Sequence, residues 1–456
     1  MNKMFLSLLL ITSAYSQTLN FDEALKQTFK NNKDLKNHKL DIELSNLDIE
    51  KINSISYGTL SFEEQINRTN HSGYVFNSKL SSREASFNDF GAIQYDGTSS
   101  SLDITPDNLN NPKARNNFNT KLNYDIPLFT GFKLSNQKDI LKLKKKIYEI
   151  KYNSKTNELS YEVLKAYNAA VVAKEFIKAV NKAKESINLV VKTANAFHKE
   201  GLVTKIDVKQ AKAYKLSINS KKIQAENKYD LALQYLRFLT SNDEITDVKE
   251  LKNINISDLD YDVLYKNALD NKNSLKMQEL NKKIRKKNIE VANSQFYPNV
   301  YSHLEYGFND DKFTLSNEKD YYNAVIGLKY TIFDNTRNAE KEKKKIQYKQ
   351  ANLNYEKLKD YTKLQLQKAL LEYKAKEKIL KERKEEVLLA SDIYKQSELM
   401  YKNQLISMTE LLKQEANLRN SKAELILAKY EKSLAKANIA LISASDFTQE
   451  TKKVKK

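Results

Sequence analysis

Apolar residues recur through residues 132–201 in steps of three and four. Ala166, Ala169, Ala173, Phe176, Val180, Ala183, Ile187, Val190, Ala194 and Phe197 carry the pattern. That spacing is the seam of a coiled coil. In the second half, Tyr373, Leu380, Val387, Tyr394 and Tyr401 step by seven. A strict seven-residue repeat predicts helices wound into a left-handed supercoil. The first helix, some 70 residues at about 1.5 Å each, runs to roughly 100 Å.

Elsewhere the period is two. In "FNTKLNYDIPLF", Phe118, Thr120, Leu122, Tyr124, Ile126 and Leu128 alternate with Asn119, Lys121, Asn123 and Asp125. In "YYNAVIGLKYTIF", Tyr322, Ala324, Ile326, Leu328, Tyr330 and Ile332 alternate with Asn323, Gly327, Lys329 and Thr331. Strands of about ten residues, rich in Tyr, with one apolar and one polar face match a membrane β-barrel. "YGTLSFEEQIN" and "YPNVYSHLEYGF" precede them as partners. Four strands cannot close a barrel, for which about eight is the practical minimum. Open strand edges are not tolerated in lipid. The chain is therefore expected to share a barrel with other copies.

The pattern also occurs twice. Leu19, Phe21, Asp22, Leu35 and Lys36 align without a gap on Leu259, Tyr261, Asp262, Leu275 and Lys276. Further on, Gly201 aligns with Gln404, so the first copy is longer by about 37 residues. The Ser/Asn/Asp/Gly/Pro-rich stretch at 81–117 accounts for the excess and reads as a long loop between two strands, expected on the cell exterior. The expected organisation is a first repeat at 17–240, a second at 241–446 and a basic flexible tail at 447–456. "MNKMFLSLLLITSAYS" has a basic start, a short apolar run and small residues at Ala14 and Ser16, the three regions of a secretory signal at 1–16. That apolar run is too short to cross a bilayer about 30 Å thick.

Composition removes several alternatives. Hydrophobic residues are 40% and charged residues 30%, with only 8 Gly and 4 Pro, which favours long helices. The absence of Cys excludes disulfides, thiolate metal sites and Cys nucleophiles. His38, His71, His198 and His303 are scattered without metal-ligand spacing, so no metal or other cofactor is expected. The net charge of +19 is spread among glutamates, as in "EKEKKKIQYKQ", and is not gathered with aromatics, so no nucleic acid is expected as a partner. No GxxxxGK[ST] is present, so the chain itself has no nucleotide-binding loop. Glu63 with Glu64 and Asp310 with Asp311 are adjacent acids, expected to point apart. No enzyme activity is expected.

The order of these elements resembles the TolC-like outer membrane efflux protein family. The opening "LNFDEALKQTFKNN", the corner "PLFTGFKLSNQ" and the turn "KEGLVTKIDVKQAKA" carry the resemblance. Their counterparts are "DYDVLYKNALDNK", "TIFDNTRNAEKEK" and "KNQLISMTELLKQEANL". Gly58 departs from the family by standing where a proline is usual, as kept at Pro298, and Gln404 replaces the second tip glycine. The resemblance implies an α+β membrane protein, a homotrimer in the outer membrane with a long periplasmic extension. A coiled-coil α-barrel would join a β-barrel shared between protomers, four strands per chain and twelve in the trimer. A belt of short helices would use "FDEALKQTFKNN" and residues 242–271.

The same resemblance implies that the long helices reverse at Gly201 and Gln404. Gly201, Leu202, Val203 and Thr204, with Gln404, Leu405, Ile406 and Ser407, would form tips that dock a periplasmic adaptor protein. A gate would use Asp207, accepting a hydrogen bond from Tyr401, and Glu410 in a three-fold anionic ring. Lys413 stands where relatives place a second acidic ring. The function implied is an exit duct of a tripartite efflux or type I secretion system, driven by an inner membrane transporter. Its partners are then the adaptor, the transporter and outer membrane lipid. The alternative is an exported structural coiled-coil protein without a pore.

Overall fold

Helix and strand follow one another twice in the same order. The protein is described from a computed structural model that covers residues 17–446. The expected signal peptide at 1–16 and basic tail at 447–456 lie outside the described residues. The first copy runs β1 (Gln17–Leu19), α1 (Phe21–Asn31), α2 (Lys33–Ile55) and β2 (Thr59–Thr69). After an insertion holding α3 (Ser72–Ser81) and α4 (Asp107–Asn110), it continues as β3 (Arg115–Thr130), α5 (Lys133–Lys199) and α6 (Lys205–Thr240). The second copy runs β4 (Ile245–Val248), α7 (Tyr261–Asn271), α8 (Asn273–Asn293), β5 (Asn299–Asp310) and β6 (Asp320–Lys329). It ends with α9 (Thr336–Lys402) and α10 (Met408–Ser443). Both long helices have 67 residues and both returning helices 36. No described helix is long and apolar enough to cross a membrane.

The chain divides into two units. One holds residues up to Ile42, Lys146–Leu280 and those from Asn352. Its main core packs Leu19, Phe21, Leu25 and Leu35 against Leu159, Val163 and Tyr167 of α5 and Leu233, Leu236 and Leu239 of α6. Asn20 and Glu23 close a reciprocal capping box that starts α1. β1 pairs in parallel with β4, a link between the two copies that strands of three and four residues do not announce in sequence. The Tyr167 hydroxyl, which donates to the Leu19 carbonyl at 3.4 Å, is pushed up to about 12 by burial. Lys174 and Tyr229 both donate to Asp247 of β4, at 2.6 and 2.7 Å. The seam positions Ala166, Ala173, Val180, Ala183, Ile187, Val190 and Ala194 are all buried, as the spacing required.

The second unit, Glu43–Lys145 with Asn281–Ala351, is built on a four-stranded antiparallel sheet in the order β2-β3-β5-β6. Its register sorts residue types by face. Leu60, Tyr124, Leu304 and Ala324 form one row, and Phe62, Leu122, Tyr306 and Tyr322 the next. Ile126, Ser302 and Ile326 continue the same face. On the opposite face the rows read Ser61, Asn123, Glu305, Asn323 and Glu63, Lys121, Gly307, Tyr321. There Lys121 bridges Glu305 at 3.3 Å and Glu63 at 3.7 Å, and His303 meets Asp125 at 2.7 Å. Glu64 is a charged residue on the apolar face, where Thr120 donates to it, and Asp310 and Asp320 lie on that face at the strand ends.

Gly58, which precedes β2, has φ +79°. Proline is locked near φ −65°, so the proline of relatives cannot stand there. Any Cβ would lie 2.3 Å from the Asp125 carbonyl oxygen. The insertion departs from the expected loop at 81–117. Residues 70–114 lie between the strands, α3 and three short 3-10 turns fold within them, and Arg115 to Asn117 belong to β3. β6 ends at Lys329, short of the stretch its alternation predicts, and leaves Ile332 and Phe333 exposed.

Candidate functional site: the helical tips

Each long helix reverses through a turn of the same geometry. At the first tip Gly201 takes φ +73°, and the Leu202 amide donates back to the Phe197 carbonyl at 2.8 Å. At the second, Gln404 takes φ +65°, and the Leu405 amide donates to the Met400 carbonyl at 2.8 Å. This is the helix-ending motif in which a left-handed residue lets the chain bond five residues back. Glycine adopts it freely, whereas glutamine carries a steric cost of about 1–2 kcal/mol.

The returning helices are capped by hydroxyls. Thr204 caps α6, and Asp207 completes a capping box, accepting from the Thr204 amide at 2.9 Å and from its hydroxyl at 2.7 Å. Ser407 caps α10 by accepting from the Glu410 amide at 3.3 Å. Carboxylates in the first turn are stabilised by the unpaired amides of the helix start. Glu410 accepts from Gln414 at 2.6 Å and lies 3.7 Å from Lys413.

The expected bond from Tyr401 to Asp207 is not made within the chain. Tyr401 is 4% exposed and its hydroxyl has no hydrogen-bond partner, while Oδ2 of Asp207 accepts from Thr204. Burial, with the nearby charge of Asp207, pushes the Tyr401 hydroxyl above the usual tyrosine range. Tyr401 packs instead with Val208, Ala211, Met408 and Leu411 in the core that joins the two tips. Thr409 donates across to Gln210 at 3.4 Å. Leu202 and Leu405 do not enter that core: they are 49% and 68% exposed. Val203 and Ile406 are half-buried, and the Val203 carbonyl lies 3.1 Å from His198 Nδ1.

Farther along the returning helices is a polar cluster that sequence reasoning missed. Glu415 of α10 is 5% exposed and accepts from the Tyr214 hydroxyl of α6. Arg419 lies 3.6 Å from Glu415 and donates to the Tyr214 oxygen at 3.3 Å. Burial and the Glu415 carboxylate push Tyr214 well above the usual tyrosine range. Burial also lowers Lys422, one turn on, helped by Lys182 and opposed by Glu415. Tyr214 and Glu415 are 201 positions apart, and only the helix pairing brings them together.

In the sheet unit, Glu63 and Glu64 point to opposite faces as expected, but Asp310 and Asp311 do not stay apart. β5 ends at Asp310, and the turn brings both carboxylates within 4.8 Å of each other and of Glu84. The ammonium of Lys319 lies 2.7 Å from Glu84 and 3.8 Å from Asp310.

The model of the outer membrane efflux protein family matches residues 24–242 and 264–445. Among solved structures, CusC is similar with a TM-score of 0.76 at 13% identity, over 93% of this chain and 91% of that one. The CmeC outer membrane channel of Campylobacter jejuni gives 0.74 at 17% identity, over 95% and 88%. The outer membrane protein VceC of Vibrio cholerae gives 0.73 at 13% identity, over 94% and 97%. No curated protein matches.

Proposed function

This chain belongs to the outer membrane efflux protein family, whose members are outer membrane channels, and from that premise we propose a passive exit duct closed by three copies. The carrying observation is the sheet. Leu60, Phe62, Ile66, Tyr322, Ile326 and Leu328 lie on one face, each 64–83% exposed. Glu63, Lys121, His303 and Glu305 occupy the other. An exposed apolar face backed by a charged one suits lipid outside and water inside. β2 pairs only with β3 and β6 only with β5, so two strand edges are open. Lipid does not tolerate open edges, and three copies joined edge to edge make a closed barrel of twelve strands. The two tandem copies, 17–240 and 241–446, each supply one hairpin and one tip.

The tips dock a periplasmic adaptor. Exposed Leu202 and Leu405 beside Gly201, Val203, Thr204, Gln404, Ile406 and Ser407 present apolar side chains on fixed turns, which suits helix-on-helix docking. The gate lies at the same level. Asp207 and Glu410 place carboxylates there, and the unpaired hydroxyl of Tyr401 is free to take a partner when the helices move. The Tyr214–Glu415–Arg419 cluster ties α6 to α10 behind them. A charge-assisted bond contributes about 1.5–3 kcal/mol, so a few per chain hold a closed state yet yield to an adaptor that prefers the open one. Energy comes from an inner membrane transporter.

Planar-bilayer recording on the purified protein tests the reading. Channels are expected, with higher resting conductance for Asp207→Ala combined with Tyr401→Phe. Absence of any conductance would favour an exported structural coiled coil, and unchanged conductance in the double variant would remove the gate assignment.

A further inference from the structure

In the insertion at 70–114 the charge of Asp89 is buried while several large apolar side chains stand exposed; Val75 is buried, and Arg83, Asp96 and Asp103 are exposed. Lys79 pairs with Asp89, which is 8% exposed, and Arg115 pairs with Glu84. Phe87, Ile93 and Leu102 are 87%, 77% and 71% exposed. Several large apolar side chains exposed on one folded segment mark a contact surface.

The insertion is also strapped. It leaves the chain at the end of β2, one open edge of the sheet, and reaches the start of β6, the other. Arg83 donates to the carbonyls of Glu318 and Asp320 at 2.8 and 2.6 Å. Lys319 donates to the Ser82 carbonyl and to Glu84, both at 2.7 Å. Although burial opposes its charge, hydrogen bonds from Lys319 and Arg115 hold the Glu84 carboxyl down at about 2. Arg83 itself takes φ +57°, a strained conformation that the surrounding bonds impose.

We propose that the exposed apolar side chains of this insertion pack against the insertion of the neighbouring copy at the outer rim of the shared barrel. The inference rests on the three-copy reading above. When β6 of one copy pairs with β2 of the next, the insertion's origin on β2 and its strap on β6 both lie at the joins between copies. The insertions of adjacent copies are thereby brought together. Head-to-tail contacts of this kind close into a ring under three-fold symmetry, with different residues meeting across each join.

The chain has no cysteine, so introduced thiols report contacts without background. Phe87→Cys, Ile93→Cys and Leu102→Cys, singly and in pairs, are to be treated with a short bis-maleimide on the intact detergent-extracted protein, its mass measured first. The expected result is covalent dimers and trimers on denaturing gels, at a yield independent of protein concentration. Three copies by mass with no cross-link, or a yield that rises with concentration, overturns this contact and leaves the shared barrel standing. A single copy by mass overturns both. The triple variant Phe87→Ser, Ile93→Ser, Leu102→Ser, with the strap intact, is expected to dissociate into monomers at a lower temperature than the parent. Unchanged dissociation would also count against the contact.

Discussion

Ile326 and Val325 are neighbours on β6 with opposite fates. Ile326 is 78% exposed on the apolar face, in the row of Ile126 and Ser302, and is flanked by Ala324 and Leu328 on the same strand. Val325 lies on the polar face, opposite His303 and in the row of Asp125. Lysine on a lipid-facing position costs about 2–4 kcal/mol near the bilayer midplane. In the proposed barrel three chains contribute, so Ile326→Lys costs the assembly roughly 6–12 kcal/mol, comparable with the whole stability of about 5–15 kcal/mol typical of a folded protein. Val325→Lys places its ammonium on the wet face, opposite His303 with Asp125 one strand beyond, and costs little. The assay is refolding from urea into lipid vesicles, read as the fraction of heat-resistant oligomer. Ile326→Lys is expected to abolish that species and Val325→Lys to retain it. Equal tolerance of both, or the reverse order, would refute the assignment of faces.

Other consequences follow from single groups. Tyr214→Phe removes one charge-assisted bond to a buried carboxylate, about 1.5–3 kcal/mol. Arg419→Leu leaves Glu415 as a buried charge held only by Tyr214 and costs more, about 3–5 kcal/mol. Thermal unfolding followed by helix circular dichroism should rank them in that order. Gln404→Gly relieves a left-handed backbone cost of about 1–2 kcal/mol against an entropic loss of about 0.4–1 kcal/mol, so the same measurement should show a small gain. Gly58→Ala, with its Cβ 2.3 Å from the Asp125 oxygen, should lower the yield of assembled oligomer sharply. Glu84 has a folded value of about 2 against an ordinary 4.5. Its depressed value means that its stabilisation is complete above 4.5 and fades as the pH falls from there toward 2. Limited proteolysis of residues 70–114 should therefore accelerate below about pH 4 and be unchanged between pH 6 and 8.

Periodicity made the long elements legible. Most of the seam from Ala166 to Ala194 is buried, with Ala169 and Phe176 half-buried, and the alternation of Leu122 and Tyr124 or Tyr322 and Ile326 identified the faces of the sheet. Such patterns are read from neighbours in sequence. What depends on distant neighbours was not visible. The pairing of Gln17 with Ile245 and the Tyr214–Glu415 bond need the fold before they exist. Composition read the insertion as a loop, and what it did not show is that Arg83, Arg115 and Lys319 anchor that loop. Motif position named Asp207 as the acceptor for Tyr401, and the capping box with Thr204 that orients this carboxylate was not read from it.

The most direct test of the shared barrel is the molar mass of the detergent-extracted protein by light scattering, corrected for bound detergent. Three chains per particle is the predicted result. A single chain, stable in solution without detergent, would contradict the account.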